Sequence, residues 1–564
     1  MTYTRYSLLF FISAAMLLGA CSKLEDEPLQ YITEEYLWDS KDSLGTNASL
    51  FLNNIYADMP NGFNRIEGNL LDAATDDAVP SEDGTSIATF TNGGYSPFAN
   101  ADNAWQKNYR AIRKANLFLA NFHKVNLKSD RVHQGKWWLA EARFLRAMFY
   151  YELVKRYGGV PLIGDKVLSI EDDLNLPRNS FDECVQYVVT ECDAVKDDLR
   201  ADPITPVGEY GRITQAVALT LKAKILLLAA SPLNNTTHDV SRWLKAKNAI
   251  AEVIRLNKFS LETNFSDVFL KRQNNEVILA YQRALTTDVE NNNAPVGYVS
   301  GSTASRGYTS PTQDLVDAFS TSKGLPISSD IKSATNPTGY DAANPYANRD
   351  PRLSYTVFYN GMQWLGRPVE TFDGGRDRPG GAAIQTKTGY YMRKFLGDFS
   401  TNTAYSAQSH NFPIFRYADI LLMFAEAKNE VDGPGGTSDS IYTYIKAIRA
   451  RAGIIAGTEG LYGLSTTVLS KDEMREVIRK ERRVEMAFEE QRFWDLRRWK
   501  IAEDVYNRAL HGIRITKASN GRLTYQIEAL QTPFQFFAPR MYRYAIPYSE
   551  ITKNRNLRQN EGYE

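Results

Sequence analysis

The stretch Thr214-Gln-Ala-Val-Ala-Leu-Thr-Leu-Lys-Ala-Lys-Ile-Leu-Leu-Leu-Ala-Ala230 stops at Ser231-Pro232. After a short polar loop a second stretch follows, Ser241-Arg-Trp-Leu-Lys-Ala-Lys-Asn-Ala-Ile-Ala-Glu-Val-Ile-Arg-Leu256. Both have helical periodicity, and Thr214 is a residue type that opens helices while a proline closes them. Their small residues (Ala216, Ala218, Ala223, Ala229, Ala230, then Ala246, Ala249 and Ala251) let two helix backbones approach closely. The pair fits a tetratricopeptide unit, and it equally fits any other antiparallel helix pair.

Working outward, the same periodicity predicts helices over Leu50–Tyr56, Asn103–Phe122, Lys136–Tyr157 and Phe181–Leu199. The third stops at Gly158-Gly159 and the fourth follows Asn179-Ser180, ordinary stop and start signals. Trp105 and Tyr109 fall on helical spacing with Ile112 and Asn116 and belong to the scaffold. On the far side, helices are expected over Tyr417–Val431, Ser438–Ala452 and Lys471–Ile501. Between these blocks, residues 292–407 are rich in Gly, Pro, Asn, Asp, Ser and Thr, broken by β-like pieces such as Leu353–Tyr359; the tail from Phe534 is loop-like and aromatic. Long ordered loops of this kind tend to carry function. Periodicity therefore makes the chain mainly α, with long irregular loops and minor β.

The N-terminus sets the compartment. One charge at Arg5, an apolar run from Leu8 to Leu18, and Leu18-Gly19-Ala20-Cys21 make a secretory signal segment. The run is too short for a bilayer span, which needs about 20 residues. Small residues directly before a Cys resemble the lipobox of bacterial lipoproteins, whose Cys is acylated. The expected organisation is 1–20 signal peptide, 21–35 lipidated Cys21 and tether, and 36–564 one domain, with helical scaffold over about 36–291 and 408–533 and a loop-rich ligand region over about 292–407. The acidic stretch after Cys21 resembles a surface-export signal. Cys184 and Cys192 lie eight apart on one expected helix, about 12 Å of rise, too far for a disulfide.

The chain has 564 residues, 43% of them hydrophobic, and 66 basic against 66 acidic residues. A neutral, exported chain has no field for nucleic acid. The Arg- and Lys-rich run Arg475–Lys500 interleaves with Glu476, Glu481, Glu485, Glu489, Glu490 and Asp495, as a salt-bridged helix does. None of the five histidines stands at metal-ligand spacing, and there is no nucleophile elbow, phosphate loop or CxxC. No cofactor is expected. Asp72, Asp76 and Asp77 form the one acidic cluster considered for Ca²⁺, without the alternating spacing of an EF-hand loop.

Seven segments, in order, resemble the SusD/RagB family of nutrient-binding outer-membrane lipoproteins: Glu141-Ala-Arg-Phe-Leu-Arg-Ala-Met-Phe-Tyr-Tyr-Glu-Leu-Val-Lys-Arg-Tyr-Gly-Gly-Val-Pro-Leu162, Pro311–Phe319, Arg349-Asp-Pro-Arg-Leu353, Tyr390-Tyr-Met-Arg-Lys-Phe395, Phe415–Ala427, Ile478–Glu489 running on to Trp499, and Ile546-Pro547 with Asn556–Asn560. The resemblance implies a single domain built as a tetratricopeptide-like helical-repeat scaffold (an α-α superhelix), and a non-catalytic cell-surface lipoprotein of the outer membrane that holds an oligo- or polysaccharide and sits on a SusC-type TonB-dependent transporter. It implies that Arg143, Arg146, Glu426 and Arg482 are scaffold ion pairs. Ligand contacts in this family come from variable loops, so candidates rest on chemistry: ring faces for sugar C–H groups, amides and guanidinium for hydroxyls. In loops 79–102 and 292–380 these are Asn92, Tyr95, Phe98, Tyr298, Arg306, Tyr308 and Trp364. Peptide capture, a surface glycoside hydrolase and a purely structural subunit are the competing readings.

Overall fold

The computed structural model describes residues 34–204, 207–295, 306–327, 338–380, 385–399, 401, 404, 406–531 and 534–564; Cys21 and Tyr298 lie outside them. The longer helices are α1 (Thr46–Tyr56), α2 (Ala104–Asn121), α3 (Val132–Tyr157), α4 (Phe181–Val195), α5 (Gln215–Ala230), α6 (Val240–Arg255), α7 (Tyr417–Asp432), α8 (Ser440–Arg451), α9 (Lys471–Glu485) and α10 (Gln491–Arg498). From α2 to α7 each packs on the next, and α7 goes on to hold both α8 and α9. This is the helical-repeat superhelix expected from the tandem pair. No helix among the described residues is long and apolar enough to cross a membrane.

Local chemistry places the helix ends. Ser180 and Glu183 cap α4 reciprocally, as do Ser470 and Glu473 for α9, each capping interaction being worth about 1 kcal/mol. Thr214 caps α5 through the Val217 N–H, and Asp239 caps α6. Helix α5 is buried nearly all round, as a helix apolar on every face must be. Its Leu219, Leu221, Ile225, Leu227 and Leu228 are buried, each contributing about 1.5–3 kcal/mol. Cys184 and Cys192 are free, buried thiols on α4. Trp105 is buried in the same core, and the Tyr109 hydroxyl donates to Pro161 O at 2.9 Å.

The segment Lys471–Ile501, expected as one helix, is two. Phe488 (φ 64°) and Glu490 (φ 58°) adopt left-handed backbone, which breaks the run between α9 and α10. Several of the freed groups are satisfied from far away in sequence. Lys394 Nζ donates to Glu485 O at 2.9 Å and Ala487 O at 2.8 Å, and Arg416 Nη2 to Glu485 O at 2.8 Å. The N–H groups of Phe488 and Glu490 donate to the Asp72 carboxyl at 2.9 and 3.2 Å.

Around that break sits a buried ionic hub. Glu485 receives Arg352 at 2.9 Å, Arg416 at 2.8 Å, and Arg451; Glu481 receives Arg352 at 2.8 Å and Arg449 at 2.7 Å. A second group joins α5, α7, α9 and α10: Arg482 to Asp419 and Asp495, Arg498 to Glu426, and Lys224 to Asp419. Arg143 and Arg146 both hold Glu191 on α4. The four residues read as scaffold from the family motifs are scaffold. Removing one member of such a pair strands the other's charge in the interior, at about 3–5 kcal/mol.

Strands are short and come in five antiparallel pairs: β1 (Ala78–Pro80) with β3 (Thr309–Pro311), β2 (Val277–Tyr281) with β8 (Phe412–Arg416), β4 (Val357–Phe358) with β7 (Tyr391–Met392), β5 (Gln363–Trp364) with β6 (Arg367–Pro368), and β9 (His511–Lys517) with β10 (Leu523–Ala529). Leu353–Tyr359, expected as β-like, opens instead with a helical turn, Arg352–Thr356, before β4. Asp350 directs that turn by accepting the Arg352 N–H at 3.0 Å and its guanidinium at 2.8 Å. The segment 408–533 is helical only in part, because it ends in the β9–β10 hairpin.

Candidate ligand-binding cleft

Three segments outside the helical repeat meet at a cleft of about 710 Å³. The first is 79–92, which leaves β1. Ser81 fixes its root, its N–H donating to Tyr308 O at 2.7 Å and its hydroxyl lying 2.6 Å from Ser310 Oγ. The second comprises 371–380 and 385–387. Its turn closes on Asp377, whose carboxylate takes Arg367 from both nitrogens at 2.8 Å and the Glu370 N–H at 2.8 Å. The third is the hairpin and the residues after it. Strand β9 is docked by Ile513 N–H to Thr388 O at 2.8 Å, and Asp373 N–H donates to Ile515 O at 2.7 Å.

The walls mix apolar groups (Val79, Pro80, Ile513, Ile515 and Leu530) with polar ones. Thr85, Ser86, Thr89, Asn92 and Gln531 supply hydroxyls and amides; Glu82, Asp83, Asp373, Glu528, Lys387 and Arg514 supply charge; the one aromatic is Phe534, itself buried. Such a surface can exchange hydrogen bonds with a ligand rich in hydroxyls. A second groove, of about 610 Å³, lies between α4, α5 and α6. There Lys222 is held by Asp193 and Glu252, and Arg242 by Asp182.

Of the residues singled out from sequence, Asn92 lies on the cleft wall. Phe98, six residues on, is 76% exposed and rests on Tyr548, itself 50% exposed, with ring centroids 4.6 Å apart. The Tyr548 N–H donates to Pro97 O at 3.1 Å and holds the pair together. Beside Asn92, Gly93 packs against the ring of half-exposed Phe537. Segment 92–98 is thus flanked by exposed aromatics from the C-terminal tail.

Other candidates fall elsewhere. Tyr95 is 3% exposed and packed among Phe90, Tyr544 and Tyr563, so no face of its ring is open to a ligand. Trp364 is also 3% exposed, packed on Phe358 and donating from Nε1 to Gly397 O at 3.2 Å. Both are core residues, contrary to expectation: a loop needs an apolar anchor as much as a ligand does. Tyr308 is half-buried, its ring covering Gly68 where any Cβ would collide. Arg306 is exposed but is not on the cleft wall. Tyr298, like Cys21, lies outside the described residues.

The acidic cluster considered for Ca²⁺ is committed to protein partners. Asp76 takes Arg492 at 2.8 Å through both oxygens and Arg483 at 2.9 Å, and Asp77 takes Arg483 at 2.6 Å. Burial would raise the Asp76 carboxyl, but Arg483 and Arg492 outweigh it and bring it down to about 2. Asp72 has no cation within ion-pair distance among the described residues. Burial, with Asp77 and Glu490 nearby, pushes it up to about 8 despite its two backbone N–H donors. Among the described residues no group of His, Cys, Asp and Glu is arranged to hold a metal ion.

The sequence reading missed the hairpin wall. Its signal is Asn520-Gly521 between two alternating runs, Ile513-Arg-Ile-Thr516 and Leu523-Thr-Tyr-Gln-Ile527, a strong hairpin pattern.

With this geometry in hand, comparisons give the class. Residues 275–563, more than half of the chain, match the family described as SusD family, and 47–227 match one described as starch-binding associating with outer membrane. The chain belongs to the SusD family. It is 24% identical over 567 residues to SusD-like protein P2 of Formosa agariphila, covering 99% of this chain and 100% of that one. A crystal structure of a SusD-like protein from Bacteroides fragilis superposes with a TM-score of 0.76 at 28% identity, over 95% of this chain and 100% of that one. A SusD-like carbohydrate binding protein from the same organism gives 0.73 at 24%, over 93% and 100%.

Proposed function

We propose that this chain captures a nutrient glycan at the cell surface, in the cleft between 79–92, 371–380 with 385–387, and the β9–β10 hairpin, and passes it unchanged to a SusC-type TonB-dependent transporter. The observation that carries this is the pairing of an open, hydroxyl-matching cleft with an exposed aromatic pair, Phe98 on Tyr548, beyond Asn92. Polar groups in the cleft exchange hydrogen bonds with sugar hydroxyls, and the rings cover sugar C–H faces. In this reading the chain is one domain, a tether and acyl chains on Cys21 hold it to the outer membrane facing outward, and no residue acts as a catalyst.

Peptide capture has one observation in its favour. Among the described residues no backbone hydrogen bond joins the outer edge of β10 beside the cleft, and such an edge can accept an added strand. The test is binding of the chain from Ser22 onward to panels of polysaccharides and peptides, with product release followed in the same wells. Retention of a glycan without turnover supports capture. Turnover refutes the non-catalytic reading, and retention of peptides alone moves the assignment to the second reading.

A further inference from the structure

Resting on the glycan-capture reading, the charge on the cleft wall narrows the ligand: we propose that the site takes an uncharged glycan and rejects polyuronates and sulfated chains. Six wall residues carry charge, four acidic (Glu82, Asp83, Asp373, Glu528) and two basic (Lys387, Arg514). Both bases are already engaged by those acids. Lys387 Nζ lies 2.5 Å from Asp83 Oδ1, and Arg514 Nε 3.0 Å from Asp373 Oδ2 with its Nη1 3.8 Å from Glu528 Oε1. Exposed Glu82 has no cation within ion-pair distance among the described residues. The wall therefore carries an excess of two negative charges, counted directly as four acids against two bases.

Bases just outside the wall do not reverse this. Arg367 is held by Asp377, Arg378 donates to Gly375 O, and Arg540 lies over the Phe537 ring and donates to Gly93 O. Arg376, exposed on the same loop, and Lys517, exposed with its Nζ 4.6 Å over the Phe372 ring, are not on the wall. A carboxylated or sulfated chain would have to separate Lys387 or Arg514 from its partner and then sit beside the surplus carboxylates. Individual exposed pairs are weak, so the sign of the wall's charge decides. A chain with a negative charge on every unit meets like charge at each step through the cleft, within the roughly 8–10 Å over which salt leaves such repulsion effective. Hydroxyl and amide groups fill the remaining polar wall and suit a neutral sugar without rearrangement.

The test is equilibrium binding of the full chain to a neutral β-1,3-glucan, xylan and galactomannan, and to polygalacturonate and carrageenan of matched length. The expected result is binding to a neutral chain and affinity about tenfold or more weaker for both anionic ones. The combined variant Glu82→Gln, Asp83→Asn, Asp373→Asn, Glu528→Gln should raise the ratio of anionic to neutral affinity. Tighter binding of polygalacturonate or carrageenan than of any neutral chain overturns the charge inference while leaving glycan capture intact. A ratio unmoved by the variant also overturns it. Binding of no glycan at all overturns the capture reading, and this inference with it.

Discussion

Arg416 on β8 and Glu489 in the break between α9 and α10 face each other inside the protein, each about 1% exposed. Nε donates to Oε2 at 2.6 Å and Nη2 to Oε1 at 2.8 Å. Arg416 also reaches Glu276 and Glu485, both at 2.8 Å, so one guanidinium serves three buried carboxylates. Arg416→Met should lower unfolding free energy by about 3–5 kcal/mol, because each of those carboxylates loses one of its counter-charges, Arg451, Arg352 and Lys394 remaining, in a medium that solvates them poorly. Denaturant titration measures it. The double variant Arg416→Met, Glu489→Gln should cost less than the sum of the two singles. A single-variant loss below about 1 kcal/mol, the size of an exposed pair, would show that the hub does not hold the break.

The same ion pairs set the acid limb of stability. Asp76 is brought to about 2 by Arg483 and Arg492 against the effect of burial, and Glu152 to about 2 by Lys155 and Arg156 against the same effect. Both folded-state values lie below those of the unfolded chain, about 4. Each pair's contribution is therefore complete above about pH 4 and is lost as pH falls from there toward about 2. The share of stability that these two pairs supply should hold level down to about pH 4 and drop steeply below it. Asp76→Asn should shallow that drop while lowering stability at neutral pH.

Asp72 works in the opposite sense. Burial, then Asp77 and Glu490, push it up to about 8, above the unfolded value. The folded state keeps a proton that the unfolded chain has lost, so its contribution is full below about pH 4 and fades as pH rises to about 8. Asp72→Asn should cost about 1 kcal/mol at mildly acidic pH, because an amide NH₂ cannot accept the Glu490 N–H. It should also flatten the decline in stability between pH 4 and 8. An unchanged slope would mean that the two backbone donors keep the carboxyl ionised.

How far the sequence spoke depended on the range of the forces involved. The ends of α4, α5 and α9 were legible because Ser180 with Glu183, Thr214, and Ser470 with Glu473 act within one turn. The break after Glu485 was not, because Asp72, Lys394 and Arg416 impose it from distant parts of the chain. The scaffold role of Glu426 and Arg482 followed from motifs, whereas the cleft did not. One of its walls is the β9–β10 hairpin, whose Asn520-Gly521 turn was local and readable yet lay in a region taken as helical.

Tyr95 and Phe98 show the remaining gap and supply the last prediction. They stand three residues apart on one loop, with no periodicity to say which faces in. Tyr95 enters the core against Phe90 at 5.0 Å, while Phe98 stays outside on Tyr548. Tyr95→Ala should destabilise the fold by about 3–5 kcal/mol, as loss of a large buried ring does. The Tyr95 hydroxyl is buried and has no hydrogen-bond partner among the described residues, so Tyr95→Phe should be neutral or slightly stabilising. Phe98→Ala and Tyr548→Ala should leave the melting temperature unchanged and weaken glycan binding about tenfold each, a loss near 1.4 kcal/mol. Thermal melts and binding isotherms on the four variants separate the roles: a Phe98→Ala variant that melts early but binds normally would place that ring in the scaffold and remove it from the ligand surface.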